Sequence, residues 1–212
     1  MSTDVTRDFA FGLPKAELHL HLEGTLEPDL KLALARKNGV DIGQSTVEEV
    51  RSTYQFNDLT SFLAVYYPAM DVLQDEDDFH DLAAAYFERA RANGVVRAEC
   101  FFDPQAHTSR GIAIETVIRG YYRAVVEARE AGLSADLILC FLRDMSAESA
   151  LETLQAALPY KDMFIGVGLD SDERDNPPTK FARVFELARE AGLHVTMHCD
   201  IDQIGSIDNI RA

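Results

Sequence analysis

The chain falls into stretches of two rhythms. Near its start, AELHLHL (16–22) alternates every second residue: Leu18, Leu20 and Leu22 share one face of an extended strand, while Glu17, His19, His21 and, just beyond, Glu23 share the other. From there to residue 93 a helical period dominates. In FHDLAAAYFERA the apolar positions Phe79, Leu82, Ala83, Tyr86, Phe87 and Ala90 follow the three-to-four spacing of a one-faced helix. Strands are then predicted at 95–102, 135–142, 163–170 and 194–200. The segments between them read as amphipathic helices: TVIRGYYRAVVEARE ending near Gly132, one opened by Ser146 with Glu148 and Glu152 in its early turns, and TKFARVFELAREAGL stopped at Gly192. A last helix begins at SIDNIRA.

Five strands separated by single helices predict βαβ units and a parallel sheet. In the second strand Val96, Ala98, Cys100 and Phe102 oppose Arg97, Glu99, Phe101 and Asp103; in the fifth, Val195, Met197 and Cys199 oppose His194, Thr196, His198 and Asp200. An apolar face for outer helices and a polar inner face, with acids and histidines at the carboxyl ends, suits a (β/α) barrel. A doubly wound sheet would bury both faces and strand those charges. Apart from the polar loop DSDERDNPPT, nothing resembles a linker, so residues 1–212 are expected to form one domain.

Charge narrows the partners. Twenty Lys and Arg against thirty-six Asp and Glu leave a net charge of −16, which repels phosphate backbones and anionic lipid head groups. Nucleic-acid polymers and membranes are therefore not expected, whereas a small neutral nucleobase is not excluded; association with further copies of the chain stays open. No apolar run approaches the roughly 20 residues that span a bilayer, and the first residues lack the features of a leader, so the cytoplasm is the expected location. Cys100, Cys140 and Cys199 lie far apart in apolar runs and are expected as reduced, buried thiols.

The two histidines of the first strand lie about 6–7 Å apart on one face, close enough for both imidazoles to reach one metal ion. Two hydrogen-bonded histidines at a strand end is the other reading, and His198, at the end of another strand beside acids, favours the metal. Three histidines with an open position would bring the pKa of a bound water to about 7 and so suit hydrolysis. There is no GxSxG elbow, P-loop or GxGxxG.

The stretch LPKAELHLHLEGTLEP resembles the N-terminal strand and loop of the adenosine and adenine deaminases of the amidohydrolase superfamily. FNDLTSFLAVYY, FFDPQAHTSRG, VGLDSDERDNPPTKF and VTMHCD follow in that family's order and spacing. The resemblance implies a (β/α)8 TIM barrel of the metal-dependent hydrolase type, of which this chain covers about the first five strands. It implies one Zn2+ per chain held by His19, His21, His198 and an aspartate from a later strand, though histidine–carboxylate sites also accept other divalent metals. The implied reaction is hydrolytic deamination at C6 of a 6-aminopurine, with an acid protonating N1. DLTSFL resembles the helix that lids the purine, which makes Leu59, Phe62 and Leu63 wall residues. Glu23 and Ser171 stand where adenosine deaminases carry Asp and Gly, and FDPQ replaces a YSP-like turn. All three places resemble the free-base branch, which implies adenine to hypoxanthine plus ammonia, with adenosine or an N6-substituted adenine as the alternative substrates. On that reading Glu23 borders N9, while Asp170 and Ser171 meet the purine, the latter through its backbone N–H at N3.

Two places depart from the family. Its proton-donating glutamate, three residues after the third histidine, is here Ile201; Asp200 and Asp202 are the acids positioned to replace it. The later histidine and aspartate pair are expected beyond Ala212, as in a fragment of a longer enzyme. The alternative of another class is an inactive barrel fragment serving oligomerisation or regulation.

Overall fold

The computed structural model describes residues 3–198 and 206–211, with side chains excepted at residues 3–5, 59, 60 and 206. Helix α1 (Thr3–Gly12), which the hydrophobic pattern does not announce, leads into β1 (Lys15–His21). Four helices follow: α2 (Pro28–Asn38), α3 (Val47–Ser52), α4 (Leu59–Ala69) and α5 (Glu76–Ala92). Capping boxes start three of them, with Thr46, Asp58 and Asp75 each accepting from the backbone N–H three residues on. The alternating part comprises β2 (Val95–Phe102), α6 (Pro104–Thr108), α7 (Ile114–Glu130), β3 (Ser134–Leu142), α8 (Ala147–Ala157), β4 (Gly166–Asp170), α9 (Ala182–Glu190), β5 (His194–Val195) and α10 (Ser206–Arg211). Ser146 caps α8 through the Ser149 N–H, as its position predicts.

All pairings are parallel, and the strands lie side by side in chain order, β1-β2-β3-β4-β5. A doubly wound sheet reverses its order at a switch point; this one never does, so it is a stretch of barrel wall. One face carries the main core: Ala98, Cys100 and Phe102 of β2 and Leu137, Leu139 and Phe141 of β3 are buried with Phe79 and Leu82 of α5 and Val117 and Ile118 of α7. Cys100 and Cys140 are buried free thiols; Cys199 lies outside the described residues.

Four local expectations need correction. In β1 the register against β2 shifts between Glu17 and Leu20, so strict alternation fails there. Glu17 turns to the helix side, where it accepts from the Tyr86 hydroxyl at 2.7 Å, and Leu18, expected among the outward leucines, lines the inner face with Arg97, Glu99 and Phe101 at 55% exposure. The inner face is also less polar than expected, since Phe101, Ile138 and Cys140 form a second apolar cluster there. β4 begins at Gly166, because Leu158–Met163 is a 3-10 turn opened by Pro159. β5 is regular only over His194–Val195, although the N–H groups of Thr196 and His198 still bond to Val167 O and Leu169 O at 3.0 Å each. That ladder places His198 beside the end of β4.

Candidate metal centre and substrate cavity

His19 and His21 enter the inner face from β1, and His198 meets them from the continuation of β5. The Nε2 of His198 lies 3.1 Å from that of His19 and 3.0 Å from that of His21. Phe101 supports the pair from below: its ring stacks against His19 at 4.5 Å and His21 at 5.1 Å between centroids. Room for that ring comes from β4, where the inward positions 166 and 168 are glycines. A Cβ on Gly168 would come within 2.6 Å of Cys140 Sγ and 3.3 Å of the Phe101 ring.

The donor set fits a metal ion. Nδ1 of His21 lies 3.2 Å from Asp170 Oδ2, which holds a proton on Nδ1 and turns Nε2 toward the other two imidazoles. Three such nitrogens cannot satisfy one another by hydrogen bonds, whereas ligands at about 2.0–2.1 Å from a tetrahedral ion sit roughly 3.3 Å apart, close to the spacing seen. Burial and the neighbouring imidazoles push His198 down to about 4, and burial with the charge of His21 lowers His19, so both are held neutral, the form that ligates. Burial also acts against a charge on His21, but hydrogen bonds and charges from Asp103 and Asp170 outweigh it and raise that ring to about 10, so an ion bound at Nε2 would displace a proton there.

Beside this cluster opens a cavity of about 420 Å³, bordered by His21 and His198 at one end, Leu20, Phe62 and Leu63 along its walls, and Asp103 and Asp170 at its base. Asp103 is 1% exposed; burial first, and the charge of Asp170 second, raise its carboxyl to about 7 against the pull of His21. Tyr66 and Tyr67 complete the wall from α4, and burial drives both phenols above their ordinary range.

Residues 14–202 match the adenosine deaminase family. The chain belongs to that family. It is 57% identical over 187 residues to an adenine deaminase of Geotalea uraniireducens, covering 88% of this chain and 53% of that one. It is 52% identical over 210 residues to an uncharacterized deaminase of Schizosaccharomyces pombe, covering 99% and 62%. The crystal structure of adenine deaminase from Arthrobacter aurescens superposes with a TM-score of 0.85 at 52% identity, over 87% of this chain and 57% of that one. An amidohydrolase from Burkholderia ambifaria with bound zinc superposes with a TM-score of 0.78 at 30% identity, over 93% and 55%. The chain thus spans a little over half the length of most of these relatives, and the five-stranded wall is part of an amidohydrolase barrel. The family is metal-dependent, and His19, His21 and His198 form a group whose ligand atoms are close enough together to hold one ion.

Within the adenosine deaminase fold, the sequence-derived site residues divide. His19, His21 and His198 converge, and Phe62, Leu63, Asp170 and Ser171 line the cavity beside them. Ser171 sits at φ 74, a strained value for a residue with a side chain, and its hydroxyl accepts from Tyr67 at 2.8 Å. Glu23 is placed differently: it is buried, and its Oε1 accepts from the Asp103 N–H, His107 Nε2 and the Tyr121 hydroxyl at 3.1 Å each. The Leu59 side chain, Asp200, Ile201 and Asp202 lie outside the described residues. Phe101, Asp103, Tyr66 and Tyr67 carry roles the sequence reading did not assign them. The signals were there: strand alternation puts the first two on the inner face, and the tyrosines follow Phe62 and Leu63 at i+4 on the same helix.

Proposed function

We propose that this chain is the N-terminal part of a zinc-dependent adenine deaminase, one ion per chain, converting adenine to hypoxanthine and ammonia in the cytoplasm. What carries the reading is the meeting of three imidazoles, with His198 Nε2 3.1 Å from that of His19 and 3.0 Å from that of His21, at the end of a largely apolar cavity of about 420 Å³. That volume suits a purine-sized ligand, and relatives named adenine deaminase share more than half of the aligned residues.

When bound, zinc supplies Lewis acidity and a water acidified to near neutral pH. The chain's own residues do the rest. His19, His21 and His198 hold the ion, and Asp170 fixes the ring of His21. Phe62 and Leu63 press on the faces of the purine and exclude water, so that C6 is held toward the histidines. The backbone N–H of Ser171 is assigned to N3. Protonation at N1 is assigned to Asp200 or Asp202, since the isoleucine at 201 has no proton to give.

The test uses the full-length enzyme loaded with zinc and then stripped by a chelator. Adenine and adenosine are supplied at equal concentration and hypoxanthine, inosine and ammonia are followed. Hypoxanthine formation that disappears with the metal and returns on zinc addition is expected. A preference for the nucleoside would overturn the substrate, and metal-independent turnover would overturn the mechanism.

A further inference from the structure

The base of the cavity holds two acceptor atoms with nothing to accept. Among the described residues, Oδ1 of Asp103 and Oδ1 of Asp170 are both buried and have no hydrogen-bond partner. Leaving such an oxygen unsatisfied is costly, so a donor brought by a ligand or a water belongs there. The two acids are not equivalent. Asp170 is committed to His21 through its other oxygen at 3.2 Å. Asp103 lies 3.9 Å from the same ring nitrogen and has only a long contact, 3.4 Å, from the Tyr66 hydroxyl to its Oδ2. Its backbone is pinned where it stands by the bond from its N–H to Glu23. Asp103 is therefore a fixed acid whose free oxygen is available to the cavity it lines.

The position of that oxygen matters. The imidazole of His21 turns Nε2 to the histidine cluster and Nδ1 to the two acids, so cluster and acids stand at opposite sides of one ring. Adenine has two kinds of N–H donor, the exocyclic amine on C6 and the N–H of its five-membered ring. With C6 at the histidines, the amine is used up at that end, and the ring N–H lies on the far side of the bicycle. We infer that Asp103 is the residue that selects the free base: its unpartnered oxygen accepts the imidazole-ring N–H of adenine, which a purine substituted at N9 does not have. This rests on the orientation of the purine proposed above. A methyl or ribosyl group at N9 would remove the donor and press carbon on a buried carboxyl oxygen, two penalties at one atom.

The experiment compares adenine with 9-methyladenine as substrates, and hypoxanthine with 9-methylhypoxanthine as competitive ligands, in full-length zinc-loaded enzyme carrying Asp103, Asp103→Ser or Asp103→Asn. Bound zinc is measured in every sample. Expected is a discrimination in kcat/KM of roughly 1,000-fold against the methylated substrate in the parent enzyme, falling to about 10-fold in the serine variant, chiefly through loss on adenine. The asparagine variant, which keeps the shape, should fall between, with zinc content unchanged in both. Equal losses on the two substrates, unchanged discrimination, or loss of zinc in step with activity would each overturn the inference, the last by making Asp103 a support for His21. A parent enzyme inert toward adenine would sink the reaction proposed above instead, while the hypoxanthine pair still reports on Asp103.

Discussion

Glu23 gives the sharpest test of how the site is built, because its position in the sequence suggests a substrate contact and its surroundings suggest a structural one. Three donors converge on Oε1 at 3.1 Å. His107 must be among the donors: its Nδ1 lies 2.9 Å from Arg110 Nη2, arginine only donates, and the ring proton is therefore on Nε2. Glu23→Ala strips the acceptor from all three. At about 1–3 kcal/mol for each buried donor left unpaired the loss is roughly 3–9 kcal/mol. Sparing the burial of a carboxyl group returns several kcal/mol, which leaves a net cost of about 3–5 kcal/mol. A domain with about 5–15 kcal/mol in hand would be only marginally folded. Glu23→Gln keeps a carbonyl oxygen for the three donors but brings an amide to the place where Oε2 has no partner among the described residues, so its cost should be smaller than that of alanine, about 1–3 kcal/mol. Urea denaturation of the full-length enzyme reads both, as midpoint shifts at constant slope. An alanine variant that loses less than 1 kcal/mol but raises KM for adenine would refute this account and return Glu23 to the substrate.

Asp170→Asn should lower metal affinity about 10–100-fold, measured by competition with a chelator, because the His21 ring loses the carboxylate that fixes its proton; unchanged affinity would mean the 3.2 Å contact does not orient the ligand. Gly168→Ala should destabilise by about 1–3 kcal/mol and weaken metal binding, since the new methyl meets Cys140 Sγ and the Phe101 ring beneath His19 and His21. Repeating it in a Cys140→Ala background should recover part of the loss, and strict additivity in that double-mutant cycle would exclude the clash as its cause. Burial raises the pKa of both described thiols, so Cys100 and Cys140 should resist maleimide in the native protein and react on unfolding, as mapped by peptide mass. Fast native labelling of either would place it outside the core.

The order of the strands and of the helices between them could be read from the chain because periodicity of two and of 3.6 is a local property, and α5, α7, α8 and α9 each carry a start signal or an apolar face, whereas α1 and the short α6 were not legible. The histidine pair and His198 were legible for the same reason, and the choice of barrel over open sheet followed from polar residues on one face of several strands. The sequence did not show the shift in β1, which arises from pairing with β2 and turns Glu17 toward Tyr86 and Leu18 inward. Nor did it separate Glu23 from Asp103. Both are acids at carboxyl ends of neighbouring strands, and only packing decides that one collects donors from α6, α7 and the end of β2 on a single oxygen while the other lines the cavity. Which residue types line a face is set by neighbours along the chain; which atom is left without a partner depends on groups up to a hundred residues away, and that is settled only when the elements pack.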